Sequence, residues 1–168
     1  MGRDDGPRIK HWHSLILQPQ FTLSQTTMTN AAFTYGKFQQ LHNGHVELFR
    51  QALENHDRLY IGVSVASKNE NVGKRVRNID RVIKKNGWRG RVCVVPSGNM
   101  FAAYGDIHEV CDVVLGEDRE TTGRRLAAES GADYIKVKRL TSSTEVRRRI
   151  AAGEDLSDIV PSYLINNL

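Results

Sequence analysis

The sequence predicts an α/β fold of the Rossmann-like kind, a parallel five-stranded sheet with helices on both faces. Three observations carry that reading. From Asn30 onward, short strand-like runs alternate with segments of helical periodicity. The stretches between them are short and punctuated by glycine or proline. The chain has 168 residues, enough for one compact domain with a sizeable core. Parallel strands need crossover connections, and the alternating helices supply them.

Residues 31–35 read as a buried strand closed by Gly36. Residues 43–55 read as a helix whose apolar stripe is Val46, Leu48, Phe49, Ala52 and Leu53. A second strand is expected over 59–65, a helix over 78–85 stopped by Gly87, and a third strand over 91–95 broken at Pro96. Residues 112–115 form a short fourth strand, and 120–130 a helix ended by Gly131. A fifth strand over 133–137, a helix over 143–152 and a short closing helix opened by Pro161 complete the pattern. In such sheets ligands bind beyond the carboxyl ends of the strands, so the loops after the strands are where chemistry is sought.

The first 29 residues have a different character, with Gly2, Gly6 and Pro7, then His11-Trp12-His13, then a Gln/Thr/Ser-rich run. They read as a flexible N-terminal extension or leader before a domain at 30–168. Leu15-Ile16-Leu17 is too short for a signal core, and Met28 is a candidate start of translation. Apolar residues make up 39% and charged residues 26%, which excludes a disordered chain, and no apolar run is long enough to span a membrane. Cys93 and Cys111 are too few for a disulfide scaffold or a cysteine zinc site, and both are expected to be buried, reduced thiols of a cytoplasmic protein. The net charge of +5 points to a polyanionic partner: nucleic acid, an anionic membrane surface or a phosphorylated small molecule.

Two motifs narrow that choice. After the first strand the chain reads Gly36-Lys37-Phe38-Gln39-Gln40-Leu41-His42-Asn43-Gly44-His45. His42 ends the loop and His45 lies in the first helical turn, so both imidazoles can face one spot beside the free N–H groups of the helix start. Gly44 lets a phosphate approach the backbone. The plainer alternative is a pair of surface histidines with Asn43 as the helix cap. No Cys or carboxylate completes a metal site at ligand spacing, so no metal-binding residue is assigned. After the fifth strand comes Thr141-Ser142-Ser143-Thr144-Glu145-Val146-Arg147-Arg148-Arg149. Its hydroxyls suit a helix cap or a phosphate, and Arg147 can reach the same anion; the plainer alternative is a cap followed by a solvated basic face. In a parallel sheet both motifs fall at one edge, where two helix starts can converge on a polyphosphate.

His42-Asn43-Gly44-His45 and the later Thr141-Ser142-Ser143-Thr144-Glu145-Val146-Arg147 resemble the H-x-G-H and I-S-S-T-x-x-R motifs of the nucleotidylyltransferase superfamily, over residues 31–161. Gly36-Lys37-Phe38-Gln39 is similar to the G-R-F-Q of nicotinamide mononucleotide adenylyltransferases of the short archaeal type. Lys37 stands where arginine is usual, and Gln40 and Leu41 stand where proline and an aromatic are common. Gly116-Glu117 is similar to the segment after the fourth strand in flavin adenylyltransferases, while Ser97-Gly98-Asn99 lies one strand earlier than the archaeal Ser-x-Asn.

The resemblance implies an enzyme that transfers AMP from ATP to the phosphate of a mononucleotide, nicotinamide mononucleotide first, releasing pyrophosphate and making a dinucleotide cofactor. The alternatives are a flavin mononucleotide or phosphopantetheine adenylyltransferase, a cytidylyltransferase, or a nucleotide sensor without turnover. It assigns His45 to the α-phosphate, His42 to the triphosphate and Lys37 to both reacting phosphates. Ser142, Ser143, Thr144 and Arg147 take the β- and γ-phosphates. Gly36, Phe38, Gln39, Gly44, Gly116 and Glu117 complete the nucleotide side. Mg2+ is implied as the cofactor, held by phosphate and water, and a homo-oligomer is implied because members often form dimers or rings. Arg81 is the expected contact to the acceptor's phosphate. Phe101 and Tyr104 either stack on the acceptor's ring or belong to the core, and Glu117 and Asp118 either contact a ribose or cap the next helix. Lys74, Arg75 and Arg77 form a basic loop that either folds over the substrate or stays solvated. Arg147-Arg148-Arg149 also fits a nucleic-acid module, but no aromatic-rich sheet face or binding motif accompanies it.

Overall fold

A computed structural model describes residues 30–65 and 71–168. The expected extension at 1–29, its Met28 and part of the loop after the second strand lie outside the described residues. The elements run β1 (Ala31–Gly36), α1 (Asn43–Asn55), β2 (Arg58–Ser64), α2 (Val72–Lys85), β3 (Val92–Ser97), α3 (Met100–Gly105), β4 (Asp112–Gly116), α4 (Glu120–Ser130), β5 (Tyr134–Val137) and α5 (Ser143–Ala152). A 3-10 turn, Glu117–Arg119, joins β4 to α4, and a 3-10 segment, Ser162–Asn167, follows Pro161.

The five strands lie in the order β3-β2-β1-β4-β5, and every pairing is parallel. This is the α/β Rossmann-like sheet that the alternation predicts. Strand order reverses between β1 and β4, which makes the gap beyond their carboxyl ends the place where a ligand fits. The ladders widen that gap. β1 pairs with β2 along its whole length, from Ala31↔Arg58 to Gly36↔Val63, but with β4 only at Ala32↔Asp112 and Phe33↔Val113.

Both faces are covered, because side chains alternate across each strand. One core joins Ala32, Ile61, Val63 and Val114 to Leu48, Phe49 and Ala52 of α1, Ile79 and Val82 of α2, Val146 of α5 and Leu164. The other joins Phe33, Val113 and Leu115 to Met100 and Ala103 of α3 and to Leu126 and Ala127 of α4. At the edge remote from the gap, the buried His56 ring bridges the Ala52 carbonyl (2.8 Å) and the Asp112 carboxylate (2.9 Å), tying the end of α1 to the start of β4. Among the described residues no helix is long and apolar enough to cross a membrane.

Three elements depart from the sequence reading. α2 starts at Val72, not Asn78, because Asn71 caps it by accepting the Lys74 N–H at 2.9 Å. Its buried face is Arg75, Asn78, Ile79, Val82 and Ile83, a helical stripe whose first members are polar and so escape a hydrophobic count. β3 runs through Pro96, since an edge strand tolerates a residue that cannot donate to the ladder. The same edge leaves Cys93 exposed rather than buried, while Cys111 is buried as expected. α3 is a six-residue helix with no long stripe to reveal it; Asn99 caps it by accepting the Ala102 N–H at 2.8 Å.

Gly62 marks a close approach. A Cβ there would lie 2.5 Å from the Tyr35 ring and 3.2 Å from the Ala103 Cβ, so the ring at the end of β1 needs a bare backbone beneath it. Gly62→Ala is expected to destabilise the fold by about 1–3 kcal/mol through overpacking, read as a lower urea midpoint with an unchanged slope.

Candidate active site

β1 delivers the chain to the gap at Gly36, and the loop that follows is held by Phe38. That residue has φ +53°, a left-handed conformation uncommon for a bulky side chain. Its ring pays back the strain by burial: it lies over Gly36, where a Cβ would be 2.9 Å from it, and packs 5.6 Å from the Phe49 ring. The Phe38 ring also meets His45 edge to face, with centroids 5.0 Å apart. Phe38 therefore buttresses the histidines from behind.

His42, not Asn43, is the N-cap of α1. Asn43 is engaged instead with the C-terminal segment, its N–H donating to the Ile159 carbonyl (2.8 Å) and its amide to the Asp158 carbonyl (3.1 Å). The His42 N–H donates to His45 Nδ1 at 3.3 Å. An accepting Nδ1 puts the proton of a neutral imidazole on Nε2, so His45 keeps an N–H donor for a ligand. The two rings stack at 3.7 Å. Gly44 is bare where a Cβ would come within 3.0 Å of the His42 ring, so the stack depends on it. His42 is only 5% exposed, yet its Nδ1 has no hydrogen-bond partner among the described residues. A buried polar atom without a partner is costly unless something arrives to bond it.

β5 delivers the second motif to the same place. Ser142 caps α5 by accepting the Glu145 N–H at 3.0 Å. Ser143, Thr144 and Arg147 line a cavity of about 300 Å³ together with Lys37, Gln39, His42, Gly44 and His45. Arg147 reaches back across the cavity to Gln40 (3.3 Å). Its two neighbours are committed elsewhere. Arg148 pairs with Glu145 and Glu154, and Arg149 with Glu145 and Asp158, at 2.6–2.9 Å. The run of three arginines thus splits into one cavity residue and two surface struts.

The structure adds residues that the sequence reading missed. Arg119, Lys138 and Arg139 line the cavity, beside Asp118, which the sequence offers as a ribose contact or helix cap. Arg119 donates to the Tyr35 carbonyl (3.3 Å) across the gap between β1 and β4. Arg139 donates to the Thr141 carbonyl (3.3 Å) and lies 3.9 Å from Asp118. Their signal was position alone, since they follow β4 and β5 directly. Five lysine or arginine side chains therefore face one carboxylate across the described cavity wall. No group of three His, Cys, Asp or Glu that could hold a metal occurs among the described residues.

The other expected site residues divide between the cavity and elsewhere. Gly36, Phe38 and Gly116 line the cavity, but Ser142 is turned to its capping bond and Glu117 accepts the Arg139 N–H at 3.4 Å. Arg81 is bonded to Asn78 on α2 (2.7 Å) and does not line the cavity. Tyr104 packs edge to face on Phe33, with its hydroxyl bonded to both the N–H and the carbonyl of Cys111, while Phe101 lies under Arg125. Neither aromatic lines the cavity; α3, which carries both, packs against β1, β2 and β3. Arg75 is buried rather than solvated.

The basic wall has an electrostatic consequence. Burial first, and the Arg139 cation second, push the His42 imidazole down to about 4. His45 is also held well below the ordinary imidazole range, first by burial away from solvent and then by His42, Arg119 and Arg139. Both rings are neutral at pH 7, so the positive charge of the cavity comes from its lysine and arginine side chains.

Residues 33–149 match the cytidylyltransferase-like family model. The chain is 29% identical over 148 residues, 77% of its length and 85% of the relative's, to the nicotinamide-nucleotide adenylyltransferase of Archaeoglobus fulgidus. It is 32% identical over 93 residues, 51% of its length and 59% of the relative's, to the phosphopantetheine adenylyltransferase of Methanopyrus kandleri. In fold it is similar to the bifunctional NMN adenylyltransferase/ADP ribose pyrophosphatase from Francisella tularensis, with a TM-score of 0.63 at 20% identity over 77% of this chain and 44% of that one.

A depressed histidine makes stability pH-dependent with a definite sign. His42 stays neutral in the native state down to about pH 4, whereas the unfolded chain takes up that proton below about 6.5. Its neutral burial therefore costs nothing above pH 6.5, and stability is lost as the pH falls from there to 4, by up to about 3 kcal/mol. His42→Asn is expected to flatten this slope when unfolding free energies are compared at pH 7, 5.5 and 4.5; an unchanged slope would show that His42 is not the group responsible.

Proposed function

The chain belongs to the cytidylyltransferase-like family, and from that premise we propose that it is an adenylyltransferase that moves AMP from ATP onto the phosphate of nicotinamide mononucleotide. Pyrophosphate and a dinucleotide are the products. One observation carries the reading: the starts of α1 and α5 bring His42, His45, Ser143, Thr144 and Arg147 to a single basic cavity. The name of the archaeal relative matched over most of both chains supports nicotinamide mononucleotide as the acceptor.

In this reaction an oxygen of the acceptor phosphate attacks the α-phosphorus of ATP. The bond from that phosphorus to the bridging oxygen of the β-phosphate breaks, and the electron pair leaves with pyrophosphate. No covalent intermediate with the protein is required, so catalysis consists of positioning and charge stabilisation. The His45 Nε2–H is the donor to an α-phosphate oxygen. The buried His42 ring, with its unbonded Nδ1, faces the triphosphate. The N–H groups at the start of α5, with Ser143, Thr144 and Arg147, take the β- and γ-phosphates, whose negative charge the helix end favours. Lys37, on the loop after β1, spans the two reacting phosphates.

Magnesium fits this wall only as part of the nucleotide substrate. With Asp118 as the one carboxylate lining the described cavity, an Mg2+ ion would be held mainly by phosphate oxygens and water, with Asp118 the protein group that could join them. Bound with the triphosphate, it supplies neutralisation of the leaving pyrophosphate.

The test is pyrophosphate release from ATP and Mg2+ with four acceptors in parallel: nicotinamide mononucleotide, its nicotinic acid analogue, flavin mononucleotide and phosphopantetheine. Release is expected with nicotinamide mononucleotide, and a preference for another acceptor would reassign the substrate. His45→Ala is expected to lower kcat about a hundred- to thousand-fold. Its cost in stability comes from the bond the His42 N–H gives up and the lost ring contacts with His42 and Phe38, about 1–3 kcal/mol, too little to account for such a loss of rate. Turnover at the wild-type rate in His45→Ala would remove that residue from the mechanism.

A further inference from the structure

Arg75 is 4% exposed and sits in the first turns of α2, outside the cavity lining. Two N–H bonds of its Nη1 diverge to two backbone carbonyls, that of Lys37 at 2.5 Å and that of Ser64 at 2.8 Å. Lys37 is the first residue of the loop after β1, and Ser64 is the last residue of β2. One buried cation therefore ties the start of the catalytic loop to the end of the neighbouring strand. Burying a guanidinium is expensive, and it persists where fixed dipoles repay it.

The Lys37 carbonyl belongs to the peptide plane that leads into Phe38, the left-handed residue. Holding that plane holds the φ of Phe38, which in turn seats its ring over Gly36 and against His45. Relaxation of the carbonyl would let Phe38 leave the left-handed region, taking with it both the Lys37 side chain and the backing of His45. We propose that Arg75 is a positioning residue for adenylyl transfer, a clamp on the Lys37 carbonyl that keeps the loop after β1 in its reactive conformation without touching substrate. The proposal rests on the function given above and adds to it a residue outside the two motifs.

The clamp is specific to arginine. Its Nη1 carries two donors at fixed angles in one plane, whereas lysine places a single compact ammonium on a shorter reach. A misplacement of about 1 Å in a positioned group costs up to about a hundred-fold in rate. Arg75→Ala and Arg75→Lys are to be compared with wild type for kcat, for KM of ATP and of nicotinamide mononucleotide, and for unfolding midpoint. A second readout independent of turnover is the imidazole Cε1–H resonance of His45, which lies beside the Phe38 ring and is identified by its absence in His45→Ala.

The expected result is a ten- to hundred-fold loss of kcat in Arg75→Ala, KM for ATP within three-fold of wild type and a displaced His45 resonance, with Arg75→Lys between the two. A lowered unfolding midpoint with kcat and the His45 resonance unchanged would overturn the proposal and leave Arg75 a purely structural strut. Should Arg75→Ala fail to fold, Arg75→Lys decides, and wild-type kcat there overturns the clamp. Wild-type protein inactive with all four acceptors counts against the proposed function, and the His45 resonance then tests the clamp alone: displaced in the variants it stands, unmoved it falls.

Discussion

Parallel strands cannot be joined by tight turns, and that constraint orders everything else in this molecule. Each strand must run its full length and hand the chain to a helix on the way back, so every strand-to-helix junction lies on one edge of the sheet. The helices that follow β1 and β5 consequently start side by side although their motifs stand far apart in the chain. The order reversal between β1 and β4 opens the edge at that point, since a strand cannot be covered by loops that leave in opposite directions. The cavity is the space left by this topology. Its walls are the carboxyl ends of β1, β4 and β5, the loops that leave them and the first turns of α1 and α5.

Within that space the design is electrostatic. Cations from three loops converge on a cavity in which the two histidines are kept neutral by their surroundings. Neutral stacked imidazoles avoid the repulsion that two charged rings at 3.7 Å would suffer. The buried His42 Nδ1 has no hydrogen-bond partner among the described residues, a cost that the surrounding packing carries. The strain in the loop after β1 belongs to the same economy: a left-handed Phe38 is tolerated because its ring is buried against Gly36, Phe49 and His45.

Much of the fold was legible in the chain because the signals were local. α1 and α5 span the residues over which their periodicity runs, Asn43–Asn55 and Ser143–Ala152. The first turns of α2 were not legible, since its inward face begins with Arg75 and Asn78, residues that a hydrophobic stripe excludes. α3 was too short for a period to show, and Pro96 broke a strand on paper that an edge position allows in three dimensions. Of the site, the two motifs were readable because each concentrates unusual residues at a helix start. Arg119 and Arg139 were not, because an arginine in a basic chain carries no mark of its own.

The sequence by itself determined the α/β class, the helices that carry the two motifs and the anionic character of the ligand, because periodicity, capping and charge are properties of neighbouring residues. Only the tertiary structure decided which cations face the cavity, that His42 rather than Asn43 caps α1, and that Phe101, Tyr104 and Arg81 stand apart from it. Those outcomes depend on the direction in which a side chain leaves its element and on what packs behind it. Arg75 is the clearest case: a charge that reads as solvated in the chain becomes a buried link between two strand ends once α2 is laid against the sheet.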